Sequence, residues 1–169
     1  THPKWYAVQS REQKLTYEEL EEYSNRLAVW IAKNSQDRKR PVIVYGHKNP
    51  YMVVCFLACA KAGRSYVPQD ICIPVSRVDE TVLSVEPELT FVVEGDYQTE
   101  IGTEIGKDEI EEIVKQETNE TDVLQPLTKD EVWYIIFTSG STGKPKGVEI
   151  TRDCLSHYLD LSLIHISEP

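Results

Sequence analysis

The sequence predicts an α/β fold in which a mixed sheet is flanked by helices. Strand-like and helix-like segments alternate along residues 15–93, a rhythm typical of a sheet with a parallel component. Residues 51–60 form a helical run that is apolar on nearly every side, as expected of a buried helix. Two further strand-like runs, 132–137 and 148–150, enclose a glycine-rich loop and therefore predict a hairpin.

The first helix is predicted to begin after Thr16. Thr16 and Glu19 have the spacing of a capping box, and apolar residues then recur at helical period. A polar link at 34–40 separates this helix from a dense apolar strand at 41–45, which Gly46 ends.

A second helix is predicted to begin at Pro50, since proline suits the first turn of a helix, and to end near Gly63. The remaining predicted elements are a brief strand at 65–68, a third helix at 74–85, a strand at 89–93, a short helix at 108–115 and a last helix capped by Thr151.

Negative charge is concentrated in one segment. The formal net charge is -10, and residues 94–131 hold thirteen Asp or Glu and three Lys, so the rest of the chain is balanced. The sequence shows no cluster of basic residues of the kind that binds nucleic acid, so we expect no nucleic-acid partner. We interpret the acidic segment as a solvated surface excursion rather than an interaction surface.

Four cysteines are present, and none forms a C-x-x-C pair. Cys55 and Cys59 stand four apart in the apolar helix, a spacing typical of small core residues. We therefore predict no metal-ligating or catalytic cysteine, and we expect a reducing, cytoplasmic setting. No apolar run is long enough to span a bilayer, so we expect no membrane insertion.

Two histidines are candidates for a general base. We expect His47 to be only a polar residue of a strand-to-helix turn, because no paired carboxylate lies nearby in the sequence. We interpret His157, on the last predicted helix, in the same way.

The densest chemistry lies in the run FTSGSTGKPKG at 137–147. It holds three glycines, four hydroxyl side chains and two lysines, and such a loop suits phosphate oxygens. It is not a Walker A loop, because its first two glycines are only three apart and Pro145 follows Lys144 where Ser or Thr would hold magnesium. Pro145 also disfavours a helix there, which favours a strand–loop–strand hairpin with Lys146 as the phosphate-binding cation.

Three segments, in this order, resemble the core motifs of the adenylate-forming superfamily of acyl-CoA ligases, peptide-synthetase adenylation domains and luciferases. They are LTYEEL at 15–20, KAGRSYVPQD at 61–70 and the glycine-rich loop. Within that superfamily, PVIVYGH at 41–47 and IPVSRV at 73–78 are similar to the ligases that load D-alanine onto a carrier protein. Arg64 and Gln69 depart from the small or apolar residues of the family, and we interpret both as drift or sequence error outside the phosphate site.

The resemblance implies a two-step reaction. The carboxylate of D-alanine attacks the α-phosphate of ATP, giving D-alanyl-adenylate and pyrophosphate. The acyl group then passes to the phosphopantetheine thiol of a D-alanyl carrier protein, for lipoteichoic acid D-alanylation. ATP and Mg²⁺ are the implied cofactors. The residues implied to bind the β- and γ-phosphates are Thr138, Ser139, Gly140, Ser141, Thr142, Gly143, Lys146 and Gly147.

The resemblance also sets the expected domain organisation. We expect residues 1–160 to be the N-terminal part of the large adenylate-forming ligase domain, with the amino-acid pocket, the catalytic lysine and the C-terminal lid domain outside this sequence. Residues 161–169 resemble a translated sequencing adaptor, and we predict that they do not belong to the fold.

Two alternative functions stay open. The chain could belong to the amino-acid adenylation domain of a nonribosomal peptide synthetase, or it could be a nucleotide-binding fragment without catalysis. In all three cases we expect the 169-residue chain to be inactive alone.

Overall fold

The computed structural model describes residues 2–118, 120–139 and 145–166, with the backbone only for Ser139 and residues 160–166. The strands are β1 (Tyr6–Gln9), β2 (Lys14–Thr16), β3 (Val42–Gly46), β4 (Tyr66–Asp70), β5 (Leu89–Val92), β6 (Thr103–Gly106), β7 (Val132–Ser139) and β8 (Pro145–Thr151). The helices are α1 (Tyr17–Asn34), α2 (Pro50–Lys61), α3 (Val75–Val85), α4 (Lys107–Lys115) and α5 (Arg152–Ile166), and a 3-10 turn spans Thr121–Val123.

The central sheet is mixed, as predicted. Its strand order is β6-β5-β3-β4-β7-β8. Strands β6 to β7 in this order run parallel, and β8 pairs antiparallel with β7 to form the predicted hairpin. Strands β1 and β2 form a separate antiparallel pair that the sequence analysis did not predict.

Three helices begin at the capping residues or the proline that predicted their starts. The Thr16 hydroxyl accepts from the backbone N–H of Glu19 at 3.2 Å, and the Glu19 carboxylate accepts from the Thr16 N–H at 2.8 Å, so the capping box is confirmed. Asn49 caps α2 by accepting from the Tyr51 N–H at 3.0 Å, directly before Pro50. At α5, the Thr151 hydroxyl accepts from the backbone of the first helical turn at 3.3 Å.

The helices cover the two faces of the sheet unequally. Helices α1, α2 and α4 pack on one face, over Val42, Val44 and Phe91. Helix α3 packs on the other face, over Ile43 and Val67. The helices that follow β3 and β4 therefore leave the sheet in opposite directions.

The acidic segment is partly core, so its interpretation as a solvated excursion is wrong. Strand β6 pairs with β5, and Ile105 is buried in that pair. In α4, Ile110 and Val114 are buried at helical spacing, while acidic residues such as Glu109 are exposed. The charges lie on the outer face of an amphipathic helix, which net charge alone does not show.

Arg64 has a structural role that the interpretation as drift did not anticipate. It is 1% exposed, its guanidinium lies 3.4 Å from the Glu88 carboxylate, and it donates to the backbone carbonyl of Asp37. Gln69 is also buried, and its amide donates to the Pro68 carbonyl at 2.9 Å. Arg64 therefore joins the loops that precede β3, β4 and β5.

The hairpin is attached to the sheet less extensively than its neighbours are to one another. Strands β3 and β4 share five paired positions, whereas β4 and β7 share one, Tyr66 with Tyr134. The two tyrosine rings stack with centroids 5.8 Å apart.

Two further predictions concern the helices. Helix α5 continues through residues 161–166, and the adaptor interpretation of residues 161–169 stays a prediction. Within the described ranges, no helix combines the length and apolar character needed to cross a bilayer.

Candidate functional site

The glycine-rich hairpin opens at the carboxyl edge of the parallel strands. Because β7 runs parallel to β4, Thr138 near the end of β7 lies at the same edge as Gly46 and Asp70, which end β3 and β4. Ligands of open α/β sheets bind outside this edge. The fold therefore places the predicted phosphate loop where a ligand is expected.

The two strands hold predicted site residues opposite each other. Thr138 pairs with Lys146, and the Thr138 hydroxyl lies 3.4 Å from the Lys146 carbonyl oxygen. Both residues are exposed. Within the described parts of the chain, the Lys146 ammonium makes no ion pair, so its charge is available to a ligand at the mouth of the hairpin.

Gly147 is required by close packing of the hairpin. A Cβ built on Gly147 would lie 3.0 Å from Cγ2 of Ile135 and 3.2 Å from the ring of Phe137. These two residues of β7 occupy the space that any side chain at position 147 would need. The glycine thus allows Lys146 to stay in register with Thr138.

The rest of the predicted loop lies outside the described residues. It comprises Gly140, Ser141, Thr142 and Gly143, and the side chain of Ser139 is likewise not described. The structure brings Thr138, Lys146 and Gly147 together.

A cavity of about 470 Å³ lies beside the hairpin. Its lining includes Thr138 and Pro145 from the hairpin, Asp70 from β4 and Arg77 from α3. Arg77 lies 3.9 Å from Glu80, one helical turn away. The hairpin, the end of β4 and α3 therefore share one opening.

A crevice runs between the ends of β3 and β4, because the helices after these strands leave on opposite faces. His47 follows β3 and Asp70 ends β4, and the His47 Nδ1 lies 2.8 Å from Asp70 Oδ2. His47 lies in the turn between β3 and α2, as expected, but it has a carboxylate partner that its neighbours in the sequence do not indicate. The partner comes from the neighbouring strand, and such a pair is visible only once strand order is known.

Asp70 also fixes the turn that follows β4. Its Oδ1 accepts from the Cys72 backbone N–H at 2.8 Å, and its carbonyl accepts from the Ile73 N–H at 2.9 Å. The Cys72 N–H bond, followed by the bond to His47, lowers the pKa of Asp70. The Asp70 carboxylate, as hydrogen-bond partner and as nearby charge, raises the pKa of the exposed Cys72 thiol.

Comparison with known proteins defines the class. The AMP-binding enzyme family matches residues 1–165, so the chain belongs to that family. A structure of O-succinylbenzoate coenzyme A synthetase (MenE) from Bacillus subtilis, in complex with AMP, has the same fold with a TM-score of 0.81 and 20% sequence identity. It matches 99% of this chain and 44% of the synthetase chain. The N-terminal subdomain of Klebsiella oxytoca NpsA matches with a TM-score of 0.73 and 24% identity, over 89% of this chain and 38% of that one.

Within this class, the similarity extends to one kind of ligase. The D-alanine–D-alanyl carrier protein ligase of Bacillus thuringiensis (strain Al Hakam) is 40% identical over 150 residues, which is 88% of this chain. The matched part is 30% of the relative's length, so the chain spans less than a third of that enzyme. The predicted resemblance to adenylate-forming ligases is confirmed.

Proposed function

We propose that the chain is the N-terminal part of an AMP-forming ligase that activates D-alanine with ATP and loads it onto a D-alanyl carrier protein. The single observation that carries the proposal is 40% identity to a D-alanine–D-alanyl carrier protein ligase over 88% of the chain. The relative's name supports the reaction. The cytoplasmic setting and the role in lipoteichoic acid D-alanylation belong to the proposal and rest on the family resemblance alone. A peptide-synthetase adenylation domain is the alternative, and no observation on the described residues favours it.

The hairpin supplies the phosphate site in this proposal. Thr138 offers a hydroxyl, Lys146 a charge without an ion-pair partner among the described residues, and Gly147 the close strand approach. The backbone N–H groups and hydroxyls at 139–143 complete the set. Attack of the D-alanine carboxylate on the α-phosphorus breaks the bond to the β-phosphate. The leaving pyrophosphate gains negative charge, and fixed donors around it lower the barrier.

The hydrogen-bond donors of the hairpin are better suited to bind phosphate oxygens than to bind a metal ion. Hydroxyl and ammonium groups donate to phosphate, whereas Mg²⁺ takes oxygen ligands and usually binds through substrate phosphates and one or two carboxylates. In this proposal Mg²⁺ therefore arrives with ATP, and it offsets the negative charge of the phosphates. The proposal assigns no Mg²⁺ ligand within residues 1–160.

The test is a chimera in which residues 1–160 replace the matching segment of the Bacillus thuringiensis ligase. We expect D-alanine-dependent exchange of pyrophosphate into ATP, and a slower reaction with L-alanine. Circular dichroism and a cooperative thermal transition establish that the chimera is folded. The pocket that selects D-alanine over L-alanine comes from the Bacillus thuringiensis part, so the chimera tests whether residues 1–160 serve such a ligase. A folded chimera that exchanges no pyrophosphate with D-alanine would contradict the proposal.

The 169-residue chain is its own control in the same assay. We expect no exchange from it, since it spans less than a third of the relative. Exchange at the rate of the chimera would show that the segment is sufficient for adenylation and would contradict the proposed division of the enzyme.

A further inference from the structure

Three metal-binding side chains meet at the crevice between β3 and β4. One ligand atom each from His47, Asp70 and Cys72 lie within 4.8 Å of one another. His47 follows β3, Asp70 ends β4 and Cys72 lies in the turn after β4. His47 and Asp70 are 23 residues apart in the sequence. The crevice is the point at which an open α/β sheet commonly binds its ligand.

We propose that His47, Asp70 and Cys72 form a zinc site that bridges the loops after β3 and β4, in contrast to the prediction from the sequence that no cysteine ligates a metal. Imidazole nitrogen, carboxylate oxygen and thiolate sulfur are the three donor types found in zinc sites. Magnesium and calcium take oxygen ligands and have little affinity for a thiolate. The mixed donor set therefore selects zinc over the Mg²⁺ that accompanies ATP.

The distances require only a small adjustment. Donors bound to one tetrahedral zinc ion lie roughly 3.3–3.6 Å apart, given zinc bond lengths of about 2.0–2.3 Å. The His47 Nδ1–Asp70 Oδ2 distance of 2.8 Å would widen slightly. The two separations that involve the Cys72 sulfur are within 4.8 Å, so side-chain rotation is enough to bring them to this spacing.

The backbone already holds the ligands close to this arrangement. The bond from the Cys72 N–H to Asp70 Oδ1, at 2.8 Å, keeps Cys72 beside Asp70. After His47, Lys48 adopts a positive φ of 46°, which turns the chain towards the Asn49 cap of α2. A site held by two such turns loses little conformational freedom on binding.

The site has access to solvent and an open fourth position. The His47 and Asp70 side chains are 33% and 45% exposed, and Cys72 is exposed. Asp70 lines the cavity beside the hairpin, and His47 lines a wider cleft next to the β1–β2 pair. Three protein ligands leave one tetrahedral position for water. On binding, the Cys72 thiol releases its proton to the buffer and coordinates as the thiolate.

The experiment uses the tag-free, reduced 169-residue chain and Co²⁺ as a spectroscopic substitute for Zn²⁺, without nucleotide. We expect a thiolate-to-cobalt charge-transfer band that saturates at one equivalent and disappears when one equivalent of Zn²⁺ is added. Cys72→Ser and His47→Gln should lose the band, while Cys154→Ser, which removes the other exposed thiol, should keep it.

A second measurement is the thermal transition with each metal ion. Binding to the folded state raises the Tm, so Zn²⁺ should raise it in the wild type and in Cys154→Ser but not in Cys72→Ser. Absence of stoichiometric binding, a band that survives Cys72→Ser, or an equal rise with Mg²⁺ would each overturn the zinc site. None of these outcomes bears on adenylation, which is measured separately in the chimera.

Discussion

The guanidinium of Arg64 lies 3.4 Å from the carboxylate of Glu88, and the Arg64 side chain is 2% exposed. Glu88 in turn accepts hydrogen bonds from the Ser35 hydroxyl at 2.7 Å and from the Gln36 N–H at 2.9 Å. This pair connects three loops at the edge of the sheet opposite to the hairpin opening. Each charge of the pair compensates the other, so removing either residue deprives its partner of that opposite charge.

Arg64→Met should destabilise the chain. The substitution removes a buried cation from Glu88 and from the Asp37 carbonyl, and leaves part of the guanidinium volume unfilled. We expect the free energy of unfolding to fall by about 2–4 kcal/mol, slightly less than the roughly 3–5 kcal/mol for a fully buried ion pair, because the Glu88 side chain is 25% exposed. Denaturant titration measures it. Lys39→Met, at an exposed lysine of the neighbouring loop, is the control and should change stability by less than about 0.5 kcal/mol.

Glu88 should make the free energy of unfolding depend on pH in the acidic range. Burial alone would raise the pKa of Glu88, but hydrogen bonds from Gln36, Ser35 and Asp37 and the charge of Arg64 bring it below the ordinary value of 4.5. A depressed folded-state pKa stabilises the protein above the unfolded-state value, and that contribution is lost as the pH falls through the folded-state value. The stability difference between wild type and Glu88→Gln should therefore be largest above pH 4.5 and shrink below it. A constant difference across this window would contradict the pairing.

Gly147→Ala should destabilise the hairpin by overpacking. The new Cβ would lie 3.0 Å from Cγ2 of Ile135, so a side chain or the strand must shift. We expect a cost of about 1–3 kcal/mol in the free energy of unfolding. In an Ile135→Ala background the obstructing methyl group is absent, and the same glycine substitution should cost less. Equal costs in both backgrounds would show that the contact is not the cause.

Lys146→Ala should slow adenylation in the chimera. Loss of one positioned electrostatic donor to the leaving pyrophosphate is expected to reduce the exchange rate roughly 10–1000-fold. Lys129→Ala removes an exposed lysine that precedes the hairpin and should leave the rate unchanged. An unaltered exchange rate in folded Lys146→Ala would exclude this lysine from the phosphate site.

The sequence predicts those parts of the fold that local chemistry decides. The capping box of Thr16 and Glu19, the proline that opens α2 and the β7–β8 hairpin all depend on residues close in sequence. Strand β6 was not predicted, because four residues with one fully buried side chain carry too weak a pattern. Its position is decided by pairing with β5, a tertiary contact.

The candidate site divides in the same way. The phosphate loop is visible in the sequence because its glycines, hydroxyls and lysines are contiguous. The His47–Asp70 pair is not visible, because the two residues lie on different strands and meet only when β3 and β4 are neighbours. Residues at the ends of consecutive parallel strands are the signal that could have indicated it.

Strands β4 and β7 share a single paired position, Tyr66 with Tyr134. This weakly paired junction divides the sheet into two parts. By contrast, β3 and β4 are paired at five positions, and β7 and β8 are paired at seven. We expect native-state fluctuations to separate the sheet between β4 and β7, so that amide protons of the hairpin exchange through a subglobal opening that leaves β3, β4 and β5 intact. Such an opening would let β7 and β8 tilt as one unit, while the edge that bears His47 and Asp70 stays in place.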